Sequence, residues 1–307
     1  MKAVSYSAYG GPEQLTYGDR PEPKLGPDSV LVRVQASSVN PVDWKLLAGD
    51  LDGTMYVDFP AIIGWDLAGV VVRPGPAAPE FAAGDEVIGY LRMDTVGRGT
   101  FAELVDAPVR ALARKPRNLT WAEAGSLPLA GLAAYQCLKT VAAGEEDTVL
   151  MLNGSGGVGT LGIQIARAFG ARVIATSGER HHDLLRSLGA EPVAYGEGLA
   201  DRVSAVAPEG IDALVDFGGG QDWLSAQALL QDPDRLASLV DPAVNGRGGQ
   251  YVYVRPDGLE LQILCDLAEA GLLRPVLAAE YPLERAAEAV RLSIQGHTAG
   301  KIAVTVP

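Results

Sequence analysis

The sequence predicts an α/β protein in which a β-rich unit is joined to a doubly wound parallel sheet, and three features carry that expectation. Short β-rich runs fill the chain up to about Thr120, after which strands and helices alternate. A glycine-rich turn, Gly154 to Gly159, sits between an apolar strand and an amphipathic helix. A last strand-forming run, Lys301–Val306, follows after the alternation has ended.

In the first third, β-rich runs at Val30–Val34, Gly69–Val72 and Glu86–Tyr90 are separated by breaker clusters at Pro21–Pro27, Pro74–Pro79 and Gly84-Asp85. The spacing suits a small, all-β barrel or sandwich. Thr120 followed by Glu123 fits a capping box that opens a helical segment at Trp121. From Asp147 onward, strands are expected at Thr148–Leu152, Arg172–Thr176, Val193–Tyr195, Ile211–Asp216, Arg235–Val240 and Gln250–Val254. Helices are expected at Val158–Phe169, Arg180–Leu188 and Asp222–Leu230, and their crossovers imply a parallel sheet with a ligand crevice at its carboxyl ends. Beyond Gly258 a helix runs through Ala270. A strand-like stretch over Arg274–Leu283, a helix over Glu284–Gln295 and the final strand complete the chain.

Composition narrows the function. With 48% hydrophobic residues over 307 positions the chain can build ordinary cores, and two domains fit that length. A net charge of −13 argues against nucleic acid and anionic membrane as partners, since both call for clustered Lys and Arg. The two cysteines, Cys137 and Cys265, form no CxxC pair, which leaves no disulfide framework and no structural zinc lobe; two unpaired buried thiols are expected, with a single Cys137–Cys265 bridge as the alternative. No signal-peptide pattern or bilayer-length apolar run is seen, so the expected location is the cytoplasm.

The turn Asn153-Gly154-Ser155-Gly156-Gly157-Val158-Gly159 carries the chemistry. GxGxxG alone is a weak signal, but here an apolar strand precedes it, and Val158, Leu161, Ile165 and Phe169 mark one face of the helix that follows. Gly154 is assigned the tight turn, Gly156 the close approach of backbone to a pyrophosphate, and Gly159 the packing of helix on sheet. The N–H groups of Gly157 and Val158 at the helix start face the anion. The ligand implied is a nicotinamide dinucleotide. NAD sites place an acid at the end of the second strand, where this chain has Thr176-Ser177-Gly178-Glu179-Arg180. Ser177 and Arg180 suit a 2′-phosphate, which favours NADPH over NADH; Glu179 works against it or faces solvent.

Several further segments carry a family resemblance: Ser38-Val39-Asn40-Pro41-Val42-Asp43-Trp44-Lys45, Gly64-Trp65-Asp66-Leu67-Ala68-Gly69, Gly84-Asp85-Glu86-Val87-Ile88-Gly89, Leu127-Pro128-Leu129-Ala130-Gly131 and Gly300-Lys301-Ile302. With the glycine turn, in this order, the chain resembles the medium-chain dehydrogenase/reductase superfamily, closest to its zinc-independent quinone oxidoreductase and enone reductase branch. That resemblance implies a GroES-like β-rich catalytic domain over 1–120 and 272–307, and a Rossmann dinucleotide domain over 121–271. It also implies a homodimer paired through the edge strand Gln250–Val254.

Zinc-dependent relatives carry a Cys near the place of Asn40, a His-Glu pair at Trp65-Asp66 and four clustered cysteines; this chain has none of these ligands. His181, His182 and His297 are read as surface residues. The activity implied is reduction of a quinone or an α,β-unsaturated carbonyl by hydride transfer from NADPH, without zinc. By resemblance Asn40 sits at the acceptor carbonyl, Lys45 contacts the nicotinamide ribose, and Val240, Asp241, Tyr253 and Val254 hold the carboxamide edge. Tyr56 and Tyr90 are candidate proton donors. The family's Thr in the helix after Leu-Pro-Leu is replaced here by Ala133, which removes one cofactor contact. Two alternatives stay open: a biosynthetic enoyl reductase acting on one tailoring intermediate, and a catalytically weak dinucleotide-binding structural or sensory protein.

Overall fold

A computed structural model describes all residues, 1–307, and the chain divides into two compact units. The first comprises Met1–Leu129, Arg255–Glu269 and Leu277–Pro307; the second comprises Ala130–Val254 and Ala270–Val276.

In chain order, the first unit opens with β1 (Lys2–Tyr6), β2 (Thr16–Asp19), β3 (Ser29–Val39), α1 (Pro41–Ala48), β4 (Tyr56–Ile62) and β5 (Asp66–Pro74). It continues with β6 (Glu86–Tyr90), β7 (Thr95–Arg98), β8 (Leu104–Pro108), β9 (Leu112–Arg114) and α2 (Trp121–Ala124). α3 (Pro128–Thr140) then carries the chain on. In the second unit follow β10 (Thr148–Leu152), α4 (Gly157–Ala168), β11 (Arg172–Ser177), α5 (His182–Ser187), β12 (Glu191–Ala194) and α6 (Leu199–Val206). Next come β13 (Ala213–Asp216), α7 (Asp222–Gln227), β14 (Leu236–Ser238) and β15 (Gln250–Tyr251). α8 (Gly258–Glu269), β16 (Leu277–Pro282), α9 (Ala286–Gln295) and β17 (Lys301–Thr305) close the chain.

The first unit is built on a seven-stranded sheet, ordered β16-β17-β3-β5-β6-β9 with β8 paired to β3, and a four-stranded sheet ordered β2-β1-β4-β7. β3 explains why this unit is cohesive. Its Val30, Val32 and Val34 point into one apolar cluster with Val71, Val87, Phe101 and Val105, as period-two alternation requires. The C-terminal strand lies antiparallel to the same β3, with Ile302 opposite Val39 and Thr305 opposite Ala36. Lys301 is thereby brought to the end of β3 at which Asn40 begins.

Two sequence expectations need correction here. The first third is not all-β: α1 starts at Pro41, a residue suited to a first helical position, and Asp43 Oδ2 accepts the Asn40 N–H at 2.7 Å. In Asn-Pro-x-Asp the proline reads as a turn residue, and the start of a helix uses the same letters. Secondly, α8 belongs to the first unit and not to a dinucleotide domain running to 271. Its Gln262 Oε1 accepts the Arg114 N–H at 3.3 Å, and the Ala268 carbonyl accepts from Asn118 at 2.5 Å. Long-range pairings of this kind leave no local signal.

The second unit holds the six predicted strands in one parallel sheet, ordered β12-β11-β10-β13-β14-β15. α6, which the sequence reading lacks, supplies the crossover that a parallel β12 to β13 connection demands. The strand order runs outward in one direction from β10 and in the other from β13, so the switch point lies between those two strands. α4 buries Leu161, Ile163, Ile165 and Ala166, while Val158 and Phe169, expected on the same face, are only half-buried. β14 and β15 are shorter than the runs read from sequence, and beyond β14 the Val240 and Asp241 N–H groups turn to the Ser238 hydroxyl oxygen. β15, the expected pairing edge, is thus only two residues long. Cys137 and Cys265 are both buried and free, and no helix is long and apolar enough to cross a membrane.

Candidate active site

At the carboxyl end of β10 the chain turns through Asn153, whose φ of +62° is the one left-handed residue of the glycine motif. The tight turn expected of Gly154 therefore falls one residue earlier. Gly154 is needed for a different reason: a Cβ there would lie 2.7 Å from the Ala175 Cβ of β11. Its N–H donates to the Thr176 carbonyl at 2.8 Å, and the Asn153 N–H donates to Thr176 Oγ1 at 2.9 Å. These two bonds tie the turn to the second strand. Gly159 is more constrained still, since its Cβ would stand 2.3 Å from the Asn153 carbonyl oxygen. At Gly156 the atoms nearest to a Cβ belong to the Asn153 side chain, the first at 2.9 Å. Gly156 brings no capping side chain to α4, so the first N–H groups of the helix, Gly157 and Val158 among them, are left for an external acceptor.

At the end of β11, Ser177 is buried and donates its hydroxyl to the Gly178 carbonyl at 3.1 Å. A hydroxyl so placed offers an external phosphate only its lone pairs. Arg180 is exposed, and its Nε–H donates to His181 Nε2 at 2.9 Å. His181 is held neutral in that contact: burial and then the Arg180 charge push its pKa below the usual range. Tyr195, 60% exposed at the end of β12, stands beside Gly178 and adds an aromatic surface that sequence spacing did not suggest.

The ends of β13 and β14 carry a buried network that the sequence reading missed. The Asp216 carboxylate is 0% exposed. Its Oδ1 accepts the N–H groups of Gly218 (3.0 Å) and Gly219 (2.9 Å), and its Oδ2 accepts the Ser238 hydroxyl at 2.8 Å. Ser238 Oγ in turn accepts the N–H groups of Val240 and Asp241 at 3.1 and 3.0 Å. Val240 and Tyr253 present exposed side chains beyond these strand ends, while Val254 is half-buried.

In the first unit, Asn40 lies in a buried polar cluster. Its Nδ2 donates to Asp66 Oδ2 at 2.7 Å, and its Oδ1 accepts from Lys301 Nζ at 2.6 Å. Lys301 also donates to the Val39 carbonyl at 3.1 Å and stands 3.6 Å from Asp66 Oδ2. Asp66 further accepts the Ser38 hydroxyl at 2.5 Å and, through Oδ1, the Leu129 N–H at 2.7 Å near the start of α3. Burial pulls the Lys301 pKa down against the raising influence of Asp66 and Asp43. Asn40, at 4% exposure, thus has its amide committed inside the fold. The carbonyl-polarising role expected for it is corrected to that of a tie between β3, β5 and β17. Lys45 Nζ lies 5.8 Å from the Trp44 ring centroid on half-buried α1, Tyr56 is 70% exposed on β4, and Tyr90 is buried against Trp65.

Asp43 gives this cluster a pH dependence. Burial, with Asp66 adding to it against the Asn40 N–H, pushes its carboxyl up to about 7 from an ordinary 3.8. Its Oδ1 has no partner, as is also true of the buried Tyr6 hydroxyl, which burial pushes up to about 12, with Tyr9 and then Asp43 adding to it. The folded state therefore keeps a proton that the unfolded chain releases, and Asp43 costs stability progressively as pH rises from about 4 to about 7. Asp43→Asn is expected to melt increasingly above the parent across that interval. A constant difference in melting temperature would reject the assignment.

No group of three or more His, Cys, Asp or Glu side chains is placed to hold a metal ion. At the positions where metal-dependent relatives put their ligands, this chain has the engaged Asn40 amide, the apolar Trp65 and Asp66 already saturated with donors. These residues do not fit a zinc ion.

The family described as "Alcohol dehydrogenase GroES-like domain" matches residues 26–117, and that described as "Zinc-binding dehydrogenase" matches residues 188–304. The chain is 30% identical to the chloroplast envelope quinone oxidoreductase homolog of Arabidopsis thaliana, over 99% of this chain and 98% of that protein. It is 33% identical to the NADPH-dependent alkenal/one oxidoreductase of the same plant, over 99% of this chain and 79% of that one. The solved quinone oxidoreductase from Coxiella burnetii superposes with a TM-score of 0.88 at 29% identity, covering 100% of this chain and 99% of its own. The chain belongs to the medium-chain dehydrogenase/reductase superfamily, in its quinone oxidoreductase and enone reductase branch.

Proposed function

We propose that this protein is an NADPH-dependent reductase of quinones or α,β-unsaturated carbonyl compounds that works without zinc. The observation that carries the reading is the glycine turn at the sheet's switch point, with uncapped N–H groups of α4 beside it. The names of the relatives, one a quinone oxidoreductase homolog and one an NADPH-dependent alkenal/one oxidoreductase, support it.

A bound dihydronicotinamide supplies a hydride to the conjugated carbon or quinone ring. In this reading the backbone from Gly154 to Gly159 holds the pyrophosphate, and Arg180 holds the 2′-phosphate, joined by Ser177 once its hydroxyl turns from the Gly178 carbonyl to donate to a phosphate oxygen. Val240, Tyr253 and Val254 border the carboxamide edge. Lys45 takes the nicotinamide ribose and Tyr56, the more exposed tyrosine, delivers the proton. Asn40 acts on the site only through the backbone it ties down. A donor set that does not fit zinc leaves no Lewis acid among these side chains to polarise an isolated ketone, which favours conjugated acceptors.

The test is oxidation of NADPH against a panel of quinones and enones, with and without a chelator, by the parent and by Arg180→Ala. Chelator-insensitive turnover is expected. Arg180→Ala should weaken NADPH by about 1.5–3 kcal/mol and leave NADH nearly unchanged. Equal loss for both cofactors removes Arg180 from the 2′-phosphate. NADPH binding without turnover of any acceptor would move the protein to the sensory reading.

A further inference from the structure

We propose that Asp216 is a positioning residue for the nicotinamide half of the cofactor, acting through Ser238 on the loops that follow β13 and β14. The inference rests on the reading of this sheet edge as a nicotinamide dinucleotide site.

Three observations carry it. Asp216 is the last residue of β13, one of the two strands flanking the switch point, where doubly wound sheets place their ligands. Secondly, its carboxylate is fully buried and spends its oxygens on loop donors. One oxygen gathers the N–H groups of Gly218 and Gly219, and the other takes the Ser238 hydroxyl. Finally, Ser238 passes the constraint on: its single oxygen holds both the Val240 and Asp241 N–H groups. Asp241 is in turn fixed by the Trp223 indole N–H at 2.8 Å, and its other oxygen accepts the Ala243 N–H at 2.9 Å. One buried charge thus sets the backbone path of two loops at once, with Val240 left exposed on top of them.

The network has a direction that a neutral isostere cannot reproduce. Every hydrogen-bond partner of the Asp216 carboxylate is a donor, with the buried Cys137 thiol also near enough to feel its charge, and Ser238 can give its proton to Asp216 because both its neighbours on the other side are N–H groups. With an amide at 216, one end still accepts from the glycines, but the NH2 end faces an oxygen already crowded by two donors. The hydroxyl proton then has no acceptor, and the loop after β14 loses its anchor. The turn that receives the pyrophosphate is tied to β11 through Thr176 and meets the loop after β13 at Asn153, whose Nδ2 donates to the Phe217 carbonyl at 3.4 Å, whereas the adenosine 2′-phosphate is assigned to the end of β11, away from Asp216.

Asp216→Asn and, independently, Ser238→Ala separate this role from general stabilisation. The parent and both variants are titrated with NADPH, NADH and adenosine 2′,5′-bisphosphate, which carries the adenosine half alone. NADPH and NADH are each expected to weaken about tenfold with their ratio preserved, and the bisphosphate to stay within about twofold of the parent. Turnover per bound cofactor should fall as well. Equal weakening of the bisphosphate and NADPH would overturn the proposal by making the network a general support of the sheet. Unchanged NADPH binding in Ser238→Ala would overturn it too. A parent that binds none of the three probes would overturn the cofactor reading itself, and that outcome is visible before any variant is made. Ser238→Ala retains the buried carboxylate and both glycine bonds, so the proposal stays testable if Asp216→Asn folds poorly.

Discussion

Replacing Lys301 by Met should cost the first unit about 3–5 kcal/mol, the loss expected when one partner of a buried, hydrogen-bonded ion pair is removed. The side chain is 4% exposed and that of its partner Asp66 0%. Its removal leaves the Asn40 Oδ1 without a donor and the Asp66 carboxylate without its counter-charge. Met fills the volume of the aliphatic stem, so the loss is electrostatic and not a cavity. The double variant Lys301→Met/Asp66→Asn should recover a large part of the stability, because the stranded charge goes with its partner. Denaturant unfolding of the parent, both single variants and the double variant reads the coupling. Strictly additive losses would mean that the two residues are not a pair.

This cluster also marks where the sequence stops being informative. The glycine turn was legible because its parts are local: strand, turn and helix stand next to one another, and period and spacing reveal them. The parallel sheet of six strands was legible in part for the same reason, since a helix was read after three of the runs, but the order of the strands and the α6 crossover were not. Lys301 and Asn40, in contrast, meet across 261 residues. Asn40 has the residue type that suits an acceptor carbonyl, and only the positions of Asp66 and Lys301 show that its amide is already spent. Asp216 is hidden for a related reason. A lone acid at a strand end reads as a solvated turn residue until β14 is seen to bring Ser238 beside it. Buried polar groups take their meaning from partners, and partners in a sheet are chosen by topology.

The glycines of the turn separate packing from ligand binding most sharply. Gly159→Ala would force a Cβ to within 2.3 Å of the Asn153 carbonyl oxygen and 2.6 Å of the Gly154 Cα, both main-chain atoms that cannot swing aside. The turn must open, and an overpacked junction of this kind costs about 1–3 kcal/mol of stability. It also displaces the N–H groups that face the pyrophosphate, for which a loss of about 100-fold in NADPH affinity is expected. Because the pyrophosphate is common to both cofactors, NADH should fall with NADPH, unlike the selective loss at Arg180. Gly156→Ala is the control. The atom nearest to its Cβ is the terminal amide nitrogen of exposed Asn153, which can swing aside for the loss of a long 3.4 Å bond to the Phe217 carbonyl. Melting temperature should therefore hold while affinity falls, since the new methyl stands where backbone and phosphate come together. If Gly159→Ala bound NADPH like the parent, the turn would be a packing device and the cofactor would have to lie elsewhere. If Gly156→Ala melted early and bound normally, the roles assigned to the two glycines would have to be exchanged.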